Sequence, residues 1–231
     1  MQVITIEDVK IEVERKKVKN FNLTVKAPNG KVKLTYPYHA SEQDYQKFLY
    51  SKINWIKQKQ NKYKNFKVPK QLEYKTGEKV WFLNHKYDLK IKFSTKRSVK
   101  LSDNNISLYI LKTDLKVDKQ KLLNEFYRGE LYKILYPLVK KWELPMKVVV
   151  NETRIRNMKT LWGSCNIKAR RIWVNLELIK YDKKCIEYVV VHEMVHLLER
   201  LHSKRFYKLM DKYLPDWRER EIILNKREKL I

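Results

Sequence analysis

Two histidines, His192 and His196, stand four residues apart in the run Tyr188-Val189-Val190-Val191-His192-Glu193-Met194-Val195-His196-Leu197-Leu198. Apart from them and Glu193, the run is apolar. A helix that is apolar on every side is a buried one. Ionisable groups inside it need partners, because desolvating them unpaired is costly. Residues four apart lie one above the other on a helix face, where two imidazoles can hold one zinc ion. Glu193 sits beside them, placed to take a proton from a zinc-activated water. His202 follows as a candidate third ligand. The chain has five histidines, and three of them fall between 192 and 202. The competing reading makes these core polar groups hydrogen-bonded to backbone. It leaves unexplained why all three positions fit a zinc-hydrolase pattern.

The ends of this helix are marked. Asp182 is a candidate N-cap, and Ser203 is a candidate N-cap for a following helix with Phe206, Leu209, Met210, Tyr213 and Leu214 at helical spacing before Pro215. His202 therefore falls at a helix-to-helix junction, where the chain can turn back toward a metal. Metzincins carry a glycine where this chain has Glu199.

The rest of the chain bounds the setting. At 231 residues and 43% hydrophobic, it can build one substantial domain or two small ones. No stretch reaches the length of a membrane span, and no signal peptide opens the chain, so the expected location is cytoplasmic. Cys165 and Cys185 read as reduced thiols without metal-site spacing. The net charge is +26, carried mostly by lysine. One reading is non-specific nucleic-acid binding through a basic surface. The other is an ordinary solvated lysine excess, since gripping phosphates favours arginine forks.

Upstream, Phe21, Leu23 and Val25 alternate, Asn29-Gly30 turns, and Val32, Leu34 and Tyr36 alternate, which is a hairpin pattern. Ser41 caps a long helix with Tyr45, Phe48, Leu49, Ile53 and Ile56 on one face, fading before Pro69. Residues 79–111 read as short strands, with turns at Asn84-His85 and Asp103-Asn104-Asn105. Residues 118–142 read as a helix that Gly129 and Pro137 weaken or kink. Strands are expected at 146–150, from 154 to about 165, and at 171–176.

The ordered landmarks Ile155-Arg156-Asn157-Met158-Lys159-Thr160-Leu161-Trp162-Gly163-Ser164-Cys165, Val174-Asn175-Leu176, the His192 to His196 motif, His202-Ser203-Lys204-Arg205-Phe206 and Pro215-Asp216-Trp217 resemble those of the YgjP-like metallopeptidase family. That family is related to the SprT and WLM zinc proteases. The resemblance covers nearly the whole chain. It departs at Leu161, where many relatives carry a basic residue.

The resulting expectation is an α+β protein. Residues 1–115 form a β-rich accessory region with a hairpin, one long helix and short strands. This region packs with a zincin-like metallopeptidase domain at 116–231, built from a small antiparallel sheet and the HExxH helix. The resemblance implies a zinc-dependent peptidase with His192, His196 and His202 as ligands, Glu193 as general base and a peptide or protein as substrate. Trp162, Gly163 and Ser164 are candidate substrate-binding residues, able to pair with an extended peptide. Tyr188, Tyr207 and Tyr213 are candidates for stabilising an oxyanion. The alternative is a nucleic-acid-associated module whose zinc site is structural or vestigial, or a protease recruited to DNA.

Overall fold

Alternating apolar residues build the first sheet in the computed structural model, which describes residues 2–26, 29–64 and 72–226. Its strands are β1 (Gln2–Ile6), β2 (Val9–Lys16), β3 (Asn22–Lys26) and β4 (Lys31–Pro37), in the order β1-β2-β4-β3. The expected hairpin is β3–β4, with Leu23 opposite Leu34 and Val25 opposite Val32. Gly30 closes it with φ of 66°, a conformation that costs glycine little. Helix α1 (Glu42–Lys64) opens on a capping box, in which Ser41 N–H donates to Asp44 at 2.8 Å and Asp44 N–H donates to the Ser41 hydroxyl at 3.2 Å. Tyr45, Leu49, Ile53 and Ile56 of α1 form one core with Ile11, Val13, Val32 and Leu34. Pro69 lies outside the described residues.

The next four strands belong to a different core. They are β5 (Lys79–Phe82), β6 (His85–Phe93), β7 (Ser98–Leu101) and β8 (Asn105–Ile110), ordered β5-β6-β8-β7. The turn after β5 uses Leu83 and Asn84, both at positive φ, so His85 starts a strand and is not a turn residue. The Tyr127 hydroxyl donates to the Trp81 carbonyl at 2.8 Å, and Leu83 N–H donates to the Ile179 carbonyl at 2.8 Å. These bonds and the shared apolar core tie the sheet to elements later in the chain. The chain divides into compact units at Met1–Lys70 and Gln71–Ile231, and the described residues 72–115 fall in the second.

Helix α2 (Lys116–Met146) runs unbroken through Gly129 and Pro137. Leu123, Tyr127, Leu131, Leu135 and Val139 make its buried stripe, while Pro137 is on the solvent side, where water can satisfy the carbonyl left without a donor. The helix ends on Lys147 in the left-handed region, with Val148 N–H donating to the Glu143 carbonyl at 3.1 Å. Residues 146–150 are thus a helix end and an extended exit, not a strand.

Three short strands follow: β9 (Glu152–Arg156), β10 (Gly163–Asn166) and β11 (Arg171–Asn175), ordered β10-β11-β9. The expected strand from 154 to 165 is two strands separated by a loop. The Asn175 side chain, 3% exposed, holds that loop by donating to the Met158 and Leu161 carbonyls, both at 2.9 Å. The loop carries the chain past the position that β11 later fills. The sheet is therefore mixed and not antiparallel throughout: β11 is antiparallel to β10 and parallel to β9. A 3-10 turn (Leu176–Lys180) leads to α3 (Lys183–Val195), then α4 (Lys204–Tyr213) and α5 (Trp217–Lys226). Ile186, Val189, Val190, Val191, Met194 and Val195 of α3 are all buried. At about 1.5–3 kcal/mol for each large side chain, this one helix anchors the second core. Among the described residues, no helix is long and apolar enough to cross a membrane.

A partly buried ion network joins three helices. Glu187 of α3 accepts from Lys141 at 2.6 Å and Trp142 at 3.1 Å on α2, and from Arg220 at 2.7 Å on α5. Burial pushes the Glu187 carboxyl up, but hydrogen bonds from Lys141 and Arg220 outweigh it and hold the carboxyl below the usual range. A carboxyl depressed in the folded state stabilises above its unfolded pKa, and this contribution is lost as pH falls through the folded value. Arg220→Ala should cost about 3 kcal/mol at neutral pH. Glu187→Gln should flatten the fall in melting temperature on acidification below about pH 4. An unchanged acid profile in that variant would remove Glu187 from the account.

Candidate active site

The site is built where α3 ends. Asp182 caps its start, accepting from Lys184 N–H at 2.8 Å, and the last helical turn carries His192, Glu193 and His196. His196 keeps helical dihedrals as the C-cap, so the two imidazoles stay on one face with centroids 5.1 Å apart. The chain then turns without any left-handed residue between His196 and His202. Glu199 N–H closes the turn onto the Val195 carbonyl at 2.9 Å. A glycine is not required at 199, because nothing there demands positive φ.

Ser203 caps α4, accepting from Phe206 N–H at 3.3 Å, and so fixes the residue before it. His202 Nε2 lies 3.0 Å from His192 Nε2. One ring nitrogen from each of His192, His196 and His202 falls within 4.8 Å of the others, the one such cluster of metal-binding side chains among the described residues. Phe206, 1% exposed, backs all three rings, with centroids 5.0, 4.8 and 4.7 Å away. The His196 Nδ1 lies 3.2 Å from the Glu199 carbonyl. A carbonyl only accepts, so Nδ1 carries the proton and the Nε2 lone pair is left for the cluster.

Burial disfavours a charge on two of these rings, His192 and His196. Burial, then the neighbouring His196 and His202, drive His192 down to about 3. Burial also lowers His196. Glu193 is 5% exposed, and burial alone pushes its carboxyl up to about 8.

Of the three candidate substrate residues, Gly163 lies directly against Glu193. A Cβ at Gly163 would lie 2.6 Å from Glu193 Oε1. Trp162 is half-buried, edge-on to Tyr181 at 5.1 Å. Side chains alternate along a strand, so Ser164 faces away from Glu193, and Cys165 returns to the Gly163 face. Burial, with Glu193 as the second cause, raises the Cys165 thiol to about 11. Among the tyrosines, Tyr188 is buried and bonded to Glu221, and Tyr213 packs on the core. Tyr207 is 41% exposed, with its ring stacked 6.4 Å from His202. The residues that sequence reasoning left without a role at the site are Phe206, the Glu199 backbone and Trp217, whose ring stacks between Tyr188 and Tyr207. Phe206 had a usable signal: it follows His202 by four residues into a capped helix.

A family model described as YgjP-like, metallopeptidase domain, matches residues 19–227. No curated protein matches the chain. Among solved structures, the metallopeptidase zymogen of Pyrococcus abyssi abylysin is 22% identical, covering 42% of this chain and 94% of its own at a TM-score of 0.37. The zymogen of Methanocaldococcus jannaschii jannalysin is 17% identical, covering 41% of this chain and 89% of its own, also at 0.37.

Phe206→Leu tests the backing of the triad. It should keep the fold at a cost near or below about 1.5 kcal/mol. It should also weaken retention of a metal ion added to the cluster about tenfold in a competition against a chelator. Parental affinity in a folded variant would show that the rings need no such support.

Proposed function

Because the chain belongs to the YgjP-like family of metallopeptidases, we propose that it hydrolyses peptide bonds using zinc held by His192, His196 and His202, with Glu193 as general base. The observation that carries this reading is three imidazole nitrogens converging within 4.8 Å beside the buried carboxyl group of Glu193. The donor set fits zinc. All three donors are borderline nitrogens, and the Glu199 carbonyl orients one of them, as outer partners of metal-binding histidines do. Three protein ligands also fit a catalytic site better than a structural one, which is usually closed by four ligands and rich in cysteine.

When bound, the ion supplies a Lewis acid that polarises the scissile carbonyl, acidifies a water and draws the Glu193 carboxyl back toward its ionised form. Glu193 accepts the proton of the attacking water and returns it to the leaving nitrogen. Tyr207, exposed beside His202, is the tyrosine best disposed to donate a hydrogen bond to the developing oxyanion. Strand β10 is an edge strand, and its outer backbone groups suit pairing with an extended peptide. Gly163 and Ser164 then act through their backbone, and Trp162 supports them from the core side. The charge of +26 adds a general attraction to polyanions that added salt should weaken. No observation at the site favours a structural or vestigial zinc.

Glu193→Gln should retain stoichiometric zinc and lose on the order of 10²–10⁴-fold in turnover on a denatured protein or peptide library. His192→Ala should lose the metal, read by mass spectrometry. Undiminished cleavage by the first variant, or full zinc in the second, would overturn the assignment.

A further inference from the structure

Gly163 is the first residue of β10, and a left-handed backbone does not explain it, because the positive-φ glycines are Gly30 and Gly77. Its backbone admits any L-residue, and a strand normally favours one with a side chain over glycine. What excludes a side chain is Glu193. A Cβ on Gly163 would lie 2.6 Å from Glu193 Oε1, 2.8 Å from Cγ and 2.9 Å from Cδ. The outer half of the glutamate therefore rests directly on the glycine. From the other side, Glu193 is 5% exposed, so the walls around it decide where its carboxyl lies. On the β10 side, that wall is the bare Cα of Gly163.

We infer that Gly163 is a positioning residue: the space left by its missing side chain is the seat that aims the Glu193 carboxylate. Its catalytic consequence rests on the reading of Glu193 as the general base. The seat itself does not. A side chain at 163 must either push the carboxylate aside or spread β10 from α3. A misplacement of about 1 Å at a reacting group costs on the order of 10²-fold in rate.

The test is a double-substitution cycle on the full chain. In zinc-loaded protein, Gly163→Ala should keep parental metal content and a KM within about twofold, while kcat falls on the order of 10²-fold. In a Glu193→Gln background, the same substitution should cause no further loss, because the group it displaces no longer acts. A second arm does not depend on turnover. In metal-free protein, Gly163→Ala should lower the melting temperature by a few degrees. In a Glu193→Ala background, where Cγ, Cδ and the carboxyl are gone, it should leave the melting temperature unchanged or raise it. A kcat within about threefold of the parent, or equal melting shifts in both backgrounds, would overturn the inference. If no protein in the set cleaves peptides and the melting shifts still differ, the peptidase reading fails and the seat stands.

Discussion

The structure depends on placing polar groups in a helix that is mostly buried. Nine of the thirteen residues of α3 are buried, Glu193 among them, and His192 and His196 at its end are partly buried, so all three need partners. Each is accommodated by something brought from elsewhere. His196 takes the Glu199 carbonyl, His192 meets His202, and Glu193 lies on a glycine. The start of the helix meets the same difficulty at Glu187 and resolves it with cations from α2 and α5. One buried helix thus dictates what a strand, a turn and three other helices must present to it.

What was legible in the sequence was local. Asp182, Ser41 and Ser203 announce helix starts because a cap is read within four residues. The hairpin around Asn29-Gly30 was legible for the same reason. The histidine cluster was legible because helical spacing and two caps fix most of its geometry. What failed required distant partners. Nothing local separates the strand pattern of Val148-Val149-Val150 from an extended exit stapled to Glu143. Nothing local shows that β11 inserts beside β9 in parallel, since the Asn175 side chain arranges this across the intervening loop. The sheet of residues 79–110 reads as accessory in composition, yet its apolar face belongs to the α2 core. Pro137 misleads for a related reason: its cost depends on whether its turn faces water or the core, and that is set by the fold.

The site also separates two kinds of contribution. The imidazoles and the carboxyl group carry the reactive atoms, and their spacing can be read directly. Phe206, Gly163 and the 196–199 turn supply shape, by backing rings, leaving room and returning the chain. Such contributions leave faint traces, because a phenylalanine in a helix or a glycine in a strand has many commoner explanations.

Glu199 illustrates a wider consequence. Its contact with His196 is made by the main-chain oxygen, and its dihedrals ask for no special residue. The Glu199 side chain does separate work, accepting from Leu201 N–H at 3.4 Å and lying 3.8 Å from Arg205. A pattern spelled in side chains records the histidines of such a site and is blind to the carbonyl that meets one of them. Chains that share the geometry can keep that contact whatever residue stands at 199, while the side chain there answers to the turn.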